Sequence, residues 1–374
     1  MKNMKQVITP LLGLLTVASA FALEPLKEST DVYMNLKNDR DFAKADVNGN
    51  GKIEEEEAGR QWRQNKKLDK NGDAAVDAEE WKTRTLKYVS SSGKQLRDVC
   101  FKRTEAQDVY LDFYFPDVDE SKKKPVVLYT HGGGWSAGSR HGAGNASFDV
   151  VHKALLNKGF CVVSVGYRLV KKNGDTAMRD CVIDSKDALR FISAYQKELG
   201  IDPNRIYTFG DSAGAHIAQM VLLAPPDSLK GDPELAKYTY KTVAGVSWYG
   251  PCDFQDPQLF NHNDRPKFRD RFGARIMGKN SKPSDKKALY REMSPVNYLT
   301  KDSPALLLIQ GDKDTTIPVK QAYRMQDLLK TIDAPVEILI VKNAGHNWRS
   351  VDAPISPTRN EIIKKTVTFF TDNM

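Results

Sequence analysis

The sequence predicts an α/β protein with a mostly parallel sheet covered by helices on both faces, preceded by a small α-helical unit. Two observations predict this. From about residue 96 onward, short apolar runs alternate with helix-length amphipathic stretches, the pattern of parallel strands joined by helical crossovers. Before that point, two acidic twelve-residue loops stand in tandem within a charged, helix-prone segment. The 374 residues suffice for one large core and one small unit. With 40% hydrophobic and 28% charged residues, the composition excludes fibrous and disordered classes.

The N-terminus reads as an export signal. Met1–Lys5 carries two lysines, Val7–Ala22 is predominantly apolar, and small residues occupy Ala18-Ser19-Ala20 and Ala20-Phe21-Ala22. A charged start, a short apolar stretch and an A-x-A-like cleavage site predict a signal peptide over residues 1–22, hence a secreted or periplasmic protein. The run is short for a membrane-spanning helix, and no cysteine follows to take a lipid anchor. The formal net charge of +8 is spread along the chain. Such a balance is compatible with attraction to acidic polymers. No basic run interleaved with aromatics is read as a nucleic-acid motif, so the charge is expected to solvate the surface. Cys100, Cys161, Cys181 and Cys252 lack metal-site spacing. Export permits disulfides, and one bridge is expected, with its pairing left open.

The first unit, residues 30–90, carries the two loops. Asp46, Asn48, Asn50, Glu54 and Glu57 place oxygen-bearing side chains at positions 1, 3, 5, 9 and 12 of a loop whose sixth residue is Gly51. The Lys52 carbonyl falls at position 7. Calcium needs six to eight oxygens in flexible geometry, and this spacing turns them inward around one ion. The second copy sets Asp69, Asn71, Asp73, Ala75 (by its carbonyl), Asp77 and Glu80 at the same positions. Its sixth residue is Ala74, where the loop requires positive φ at a cost of about 1 kcal/mol, so the second loop is expected to bind more weakly. Both copies resemble the EF-hand family in its paired form. That resemblance implies structural Ca2+ and one helix, about Ala58–Leu68, serving both loops. A small-residue stretch, Ser90-Ser91-Ser92-Gly93, is expected to be the linker to the second unit.

The second unit, residues 96–374, is read strand by strand. Asp108–Phe115 alternates as a half-exposed strand. Val126–Thr130, Cys161–Val165, Ile206–Phe209, Val243–Trp248, Ala305–Ile309 and Val336–Val341 are short apolar runs with buried-strand character. Helices are expected at Phe148–Asn157, Ala177–Leu199, Ala213–Leu223, Val319–Ile332 and Pro357–Thr371. On such sheets, reacting groups sit at the carboxyl ends of strands.

Three motifs follow that rule. Gly210-Asp211-Ser212-Ala213-Gly214 joins a strand to a helix as a G-x-S-x-G nucleophile elbow, with Ser212 the candidate nucleophile. His131-Gly132-Gly133-Gly134-Trp135 follows another strand. Its glycines allow backbone N–H groups to approach a developing oxyanion, and the donors are assigned to Gly133 and Ala213, with Gly132 or Gly134 as alternatives to Gly133. Asp314 and His346 follow the two last strands, giving the chain order Ser, Asp, His. Asp312 is the rival acid, and His216 a rival base four residues after Ser212. No cofactor is expected for the chemistry.

These motifs resemble the carboxylesterases of the α/β-hydrolase superfamily, near the hormone-sensitive-lipase-like and bacterial feruloyl- or acetyl-esterase-like groups. The resemblance runs through Pro125–Trp135, Gly166–Leu169, Ile201–Ile206, the elbow, Trp248–Pro251, Ser294-Pro295 and Gly311–Pro318. It implies a serine esterase acting on a small ester or an esterified polysaccharide, with no nucleic-acid partner and no membrane span. The alternatives are a serine peptidase of the prolyl-oligopeptidase kind, for which no propeller repeats are found, and a non-catalytic binding module on the same scaffold. The calcium unit and a charged insertion over Asp253–Glu292 depart from the family pattern, and the insertion is where relatives carry a lid. Trp135, Trp248 and Trp348 flank the motifs and are candidates for either an aromatic platform or the core.

Overall fold

The structure is a computed structural model that describes residues 42–374 apart from 44, 60, 61, 83–86, 106, 118–121, 172 and 173. The signal-like segment lies outside the described residues. Two strands, β1 (Lys52–Ile53) and β2 (Val76–Asp77), form a small antiparallel ladder. Eight more build the large sheet: β3 (Gln95–Arg103), β4 (Asp108–Tyr114), β5 (Lys124–Thr130), β6 (Cys161–Val165), β7 (Ile201–Asp211), β8 (Thr242–Trp248), β9 (Ala305–Gly311) and β10 (Val336–Val341). Their order is β10-β9-β8-β7-β5-β6-β4-β3. From β6 to β10 every pairing is parallel, whereas β4 runs antiparallel to both its neighbours.

Strand periodicity explains the layers. Along β5, Val126 and Leu128 enter one core cluster, and Val127 and Tyr129 the other. Along β7, Ile206 faces the first, and Tyr207 and Phe209 the second. Successive side chains point to opposite faces, so each central strand needs apolar residues at every position. Helices Met178–Ala194 and Ala213–Leu223 cover the first face; Ala146–Asn157 and Arg359–Asp372 cover the second. The helix Lys320–Leu329 closes a third cluster against Leu306 and Leu308.

The strand missing from the sequence reading is β3. Its register slips between Leu96 and Val99 and again between Cys100 and Lys102, and Asp98 has φ 54°. Two irregularities in nine residues erase the period of two on which a strand is read. In the small unit, the expected single helix over Ala58–Leu68 is interrupted: one helix spans Glu55–Ala58, ends at Gly59, and another spans Trp62–Asn65.

Two further expectations are corrected. The supposed linker is fastened to the large domain: Val89 is buried among Tyr129, Ala143 and Val151, and the Ser90 N–H donates to Asp149 Oδ1 at 2.7 Å. Val89 and Tyr88 supply the apolar anchorage that a reading weighted to Ser and Gly overlooks. No disulfide forms, and all four cysteines are free thiols. They lie in different elements, on β3, on β6, within the helix Met178–Ala194 and after β8. The Cys181 and Cys252 thiols donate instead to the carbonyls of Arg168 and Gln321, each at 3.2 Å.

Candidate active site

Strand register brings the motifs together. Thr130 of β5 pairs with Gly210 of β7, so the glycine loop and the elbow leave the sheet side by side. Trp248 of β8 pairs with Asp211 and with Ile309, and Val341 of β10 pairs with Gly311. The loops bearing Asp314 and His346 therefore emerge from neighbouring strands at the same edge.

At the elbow, Ser212 has φ 52° and ψ −118° and caps the helix Ala213–Leu223. A turn this sharp forces helix and strand together: a Cβ on Gly214 would stand 2.0 Å from the Thr130 carbonyl oxygen, and one on Gly210 2.4 Å from that of Gly214. Both positions must be glycine. The Ser212 hydroxyl, partly exposed, lies 3.0 Å from His346 Nε2, and His346 Nδ1–H donates to Asp314 Oδ2 at 2.7 Å.

Asp314 is buried, and its charge is met by several donors. Its Oδ1 accepts the N–H groups of Thr316 and Ile317 at 2.8 and 2.9 Å, and Gln310 Nε2 donates to Oδ2 at 3.3 Å. These bonds hold the carboxylate facing the imidazole. The rival Asp312 makes no hydrogen bond to His346 among the described residues; its N–H donates to the Val341 carbonyl at 3.0 Å. The rival base His216 is also set aside. It is wholly buried, accepts from Trp135 Nε1 at 3.2 Å and lies 2.8 Å from the Met293 carbonyl, and burial lowers its pKa to about 4. His131 is likewise held neutral by burial, at about 4, with Nδ1 at 2.8 Å from the Gly132 carbonyl.

Of the backbone donors considered, Gly132 is removed from the list. Its N–H donates to Asp211 Oδ1 at 2.8 Å, which leaves none for a substrate. Gly133 follows with φ 126°, and Ala213 opens the helix beyond Ser212. Asp211 itself was not singled out in the sequence. Its carboxylate also accepts the Tyr129 hydroxyl at 3.0 Å, and burial raises its pKa to about 6. It holds the glycine loop against the elbow. The signal was present as the second residue of the elbow motif, but a polar residue there has no assigned partner until β5 and β7 are known to be adjacent.

The three tryptophans belong to the core. Trp135, Trp248 and Trp348 are 1%, 0% and 3% exposed, which rules out an exposed sugar platform. Trp248 Nε1 donates to Thr366 Oγ1 at 2.9 Å, inside the second core cluster.

In the small unit, Ile53 pairs with Val76, the eighth residues of the two loops, so a two-residue ladder joins them back to back. Asp46 Oδ2 accepts the Gly51 N–H, and Glu57 accepts the Asn48 and Glu54 N–H groups. In the second loop, Asp69 accepts Gly72 and Ala74, Asn71 accepts Asp73, and Glu80 accepts Lys70, Asn71 and Asp77. Ala74 adopts φ 61° where its counterpart Gly51 has 83°. Among the described residues no three Asp, Glu, His or Cys side chains form a preassembled metal cluster. The donors are instead mixed: carboxylate, carboxamide and backbone carbonyl oxygens, the hard set that suits calcium.

The eight-stranded sheet, with its elbow and the acid and base loops at one edge, defines an α/β-hydrolase. A family model described as BD-FAE matches residues 111–329, more than half of the chain, and the chain belongs to that family. A second model, described as EF hand, matches residues 40–57. Among curated proteins, the chain is 29% identical over 217 residues to a probable carboxylic ester hydrolase, LipM, of Mycobacterium tuberculosis, covering 58% of this chain and 47% of that one. It is 25% identical over 259 residues to a probable isoprenylcysteine alpha-carbonyl methylesterase of Oryza sativa, covering 69% and 59%. The chain thus spans about half the length of the curated relatives it matches. Among solved structures, esterase 2 of Thermogutta terrifontis shares the fold at TM-score 0.60 and 19% identity, over 77% of this chain and 97% of that one. A truncated carbohydrate esterase from gut microbiota does so at 0.60 and 21%, over 77% and 99%.

Proposed function

We propose that the protein is a secreted or periplasmic serine carboxylesterase that cleaves short-chain or aromatic acyl esters, including esters carried on polysaccharide. The observation that carries this reading is the unbroken line from Ser212 Oγ through both imidazole nitrogens of His346 to Asp314. His346 Nε2 takes the hydroxyl proton as Ser212 Oγ attacks the ester carbonyl. The carbonyl oxygen becomes an oxyanion, received by the N–H groups of Gly133 and Ala213. His346 then protonates the departing alcohol, leaving an acyl group on Ser212. Water, losing its proton to the same nitrogen, attacks that acyl group; His346 Nε2–H then returns the proton to Ser212 Oγ as the C–Oγ bond breaks and the acid leaves. Asp314 keeps the imidazole in the tautomer with hydrogen on Nδ1 and stabilises the imidazolium. The names of the ester-hydrolase relatives, and of the carbohydrate esterase that shares the fold, support the reaction class and the substrate class.

For the small unit, we propose structural calcium. Asp46, Asn48, Asn50, Glu54, Glu57 and the Lys52 carbonyl would hold the first ion; Asp69, Asn71, Asp73, Asp77, Glu80 and the Ala75 carbonyl would hold the second, more weakly. Bound calcium supplies positive charge that draws loop carboxylates together, and it takes no part in ester cleavage.

Turnover of p-nitrophenyl acetate tests the mechanism. Ser212→Ala should lose about 10⁵-fold in kcat or more while its thermal transition stays within a degree or so of the parent. A variant as active as the parent would remove Ser212 from the chemistry.

A further inference from the structure

We propose that the segment from Arg265 to Arg271 is a docking track for the acid groups of the polymer that carries the ester, so that the preferred substrate is an esterified, uronate-bearing polysaccharide. This rests on the esterase reading above and gives it a substrate class.

The segment reads Arg265-Pro266-Lys267-Phe268-Arg269-Asp270-Arg271-Phe272 and lies outside any helix or strand. Its alternation sorts side chains to two sides. Phe272 is buried and Phe268 partly so, both against the core cluster that holds Trp135. Arg265, Lys267, Arg269 and Arg271 are exposed. Four exposed cations thus fall within seven consecutive residues, a basic run along the chain.

No carboxylate among the described residues neutralises that run. The flanking acid, Asp264, is engaged with Lys320. Asp270, the one acid within the segment, turns inward. Its Oδ1 accepts the Phe272 and Gly273 N–H groups, and its Oδ2 accepts the Tyr290 hydroxyl. Arg265, Lys267 and Arg269 form no ion pair among the described residues.

The run is also held at its C-terminal end, beside the acid loop. Arg271 Nη1 donates to the carbonyls of Thr315 and Thr316 at 3.1 and 3.2 Å, the two residues after Asp314. The next residue, Phe272, packs edge-on against Trp135, which ends the glycine loop, with centroids 5.3 Å apart. The C-terminal end of the run is thereby held beside the loop of Asp314, whose carboxylate orients His346 at the edge that bears the partly exposed Ser212.

Exposed cations attract over roughly a Debye length and each gives little by itself. A ligand repeating its negative charge along a strand collects that attraction, and a single small anion does not. The polymer must also carry a carboxylic ester for Ser212, which nucleic acid lacks. With both phenylalanines turned inward, no exposed ring alternates with the cations to stack on a base.

The test uses the full-length protein and a variant, Arg265→Gln/Lys267→Gln/Arg269→Gln, which leaves the anchoring Arg271 and Phe272 intact. Initial rates are compared on acetylated pectin, acetylated glucomannan and p-nitrophenyl acetate. The variant should raise KM for acetylated pectin about tenfold at low salt. On the two uncharged substrates it should stay within about twofold, and about 0.5 M salt should erase the difference. Retention of parent and variant on polygalacturonate, an oligonucleotide and anionic vesicles measures binding without turnover. Equal KM on acetylated pectin, or equal loss of retention on all three polyanions, overturns the proposal while p-nitrophenyl acetate turnover leaves the esterase reading standing. If no ester is cleaved at all, the esterase reading fails, and selective loss of retention on polygalacturonate still decides the track.

Discussion

The two units build their sites in opposite ways. At the rim of the large sheet, the polar groups come from far apart in the chain, with Ser212 and His346 separated by 134 residues, and the fold alone brings them within hydrogen-bonding distance. In the small unit, every donor of a proposed calcium loop falls within twelve consecutive residues, and its carboxylates turn to the loop's own amides. A site of the first kind is as stable as its domain, because nothing short of losing the sheet separates its parts. One of the second kind rests on a small core of Phe42, Ile53, Trp62, Val76 and Trp81, which leaves room for an ion to add stability by mass action. The long-range site is preorganised by packing; the local ones, on the calcium proposal, would be completed by the ion.

Four experiments would break or sharpen that contrast. The largest effect is expected at the acid loop. Asp314→Asn should lower kcat by about 10³ to 10⁴-fold, since the amide no longer selects the required imidazole tautomer. Asp312→Asn should stay within about threefold, because among the described residues Asp312 forms no hydrogen bond or ion pair with His346. If the two variants rank the other way, the acid has been misassigned. Chelation comes next. Removing calcium should lower the melting transition of the small unit by several degrees, about 1–3 kcal/mol at ordinary loading, while p-nitrophenyl acetate turnover stays unchanged. A scan that does not move, or an equal loss of turnover, would erase the distinction between the units.

The third concerns acid. His216 is neutral in the folded protein, with a pKa of about 4 against 6.5 for the free side chain. The unfolded chain therefore gains the proton first as pH falls. Stability contributed by His216 is complete above about 6.5 and is lost progressively down to about 4. Asp211 acts with the opposite sign: its folded pKa of about 6 exceeds 3.8, so its contribution is present at low pH and is lost as pH rises through 6. His216→Gln isolates the first term. Between pH 7 and pH 5, the parent should lose on the order of 2 kcal/mol more than the variant, measured by urea unfolding; parallel losses would deny that the buried imidazole resists protonation. The smallest effect belongs to the second loop. Ala74→Gly relieves positive φ at 61° and should tighten that loop by about 1 kcal/mol in a calcium titration, roughly fivefold. An unchanged titration would mean that Ala74 does not limit binding.

Much of this was legible in the chain because its signals are local. The runs Cys161–Val165 and Val336–Val341 coincide with β6 and β10, and the stretch Ala213–Leu223 with its helix, since a buried parallel strand or an elbow helix is apolar throughout. The positions of Ser212, Asp314 and His346 at strand ends follow from the same reading. What escaped has a physical reason in each case. The double bulge of β3 hides its period, the buried anchor at Val89 lies beside a run of serines, and Trp135 carries no mark in sequence that separates a core ring from a surface one.

By itself, the sequence determined the order of strands and helices from β4 onward, the elbow, the glycine loop and the spacing of the two acidic loops, because each depends on backbone geometry within a dozen residues. Tertiary structure alone decided which carboxylate meets His346, that Gly132 is tied to Asp211, that the cysteines stay apart and that Arg271 of the insertion reaches the loop after Asp314. Those outcomes turn on which strands are neighbours, and pairing between distant segments is settled by packing a common core, not by any local preference of the chain.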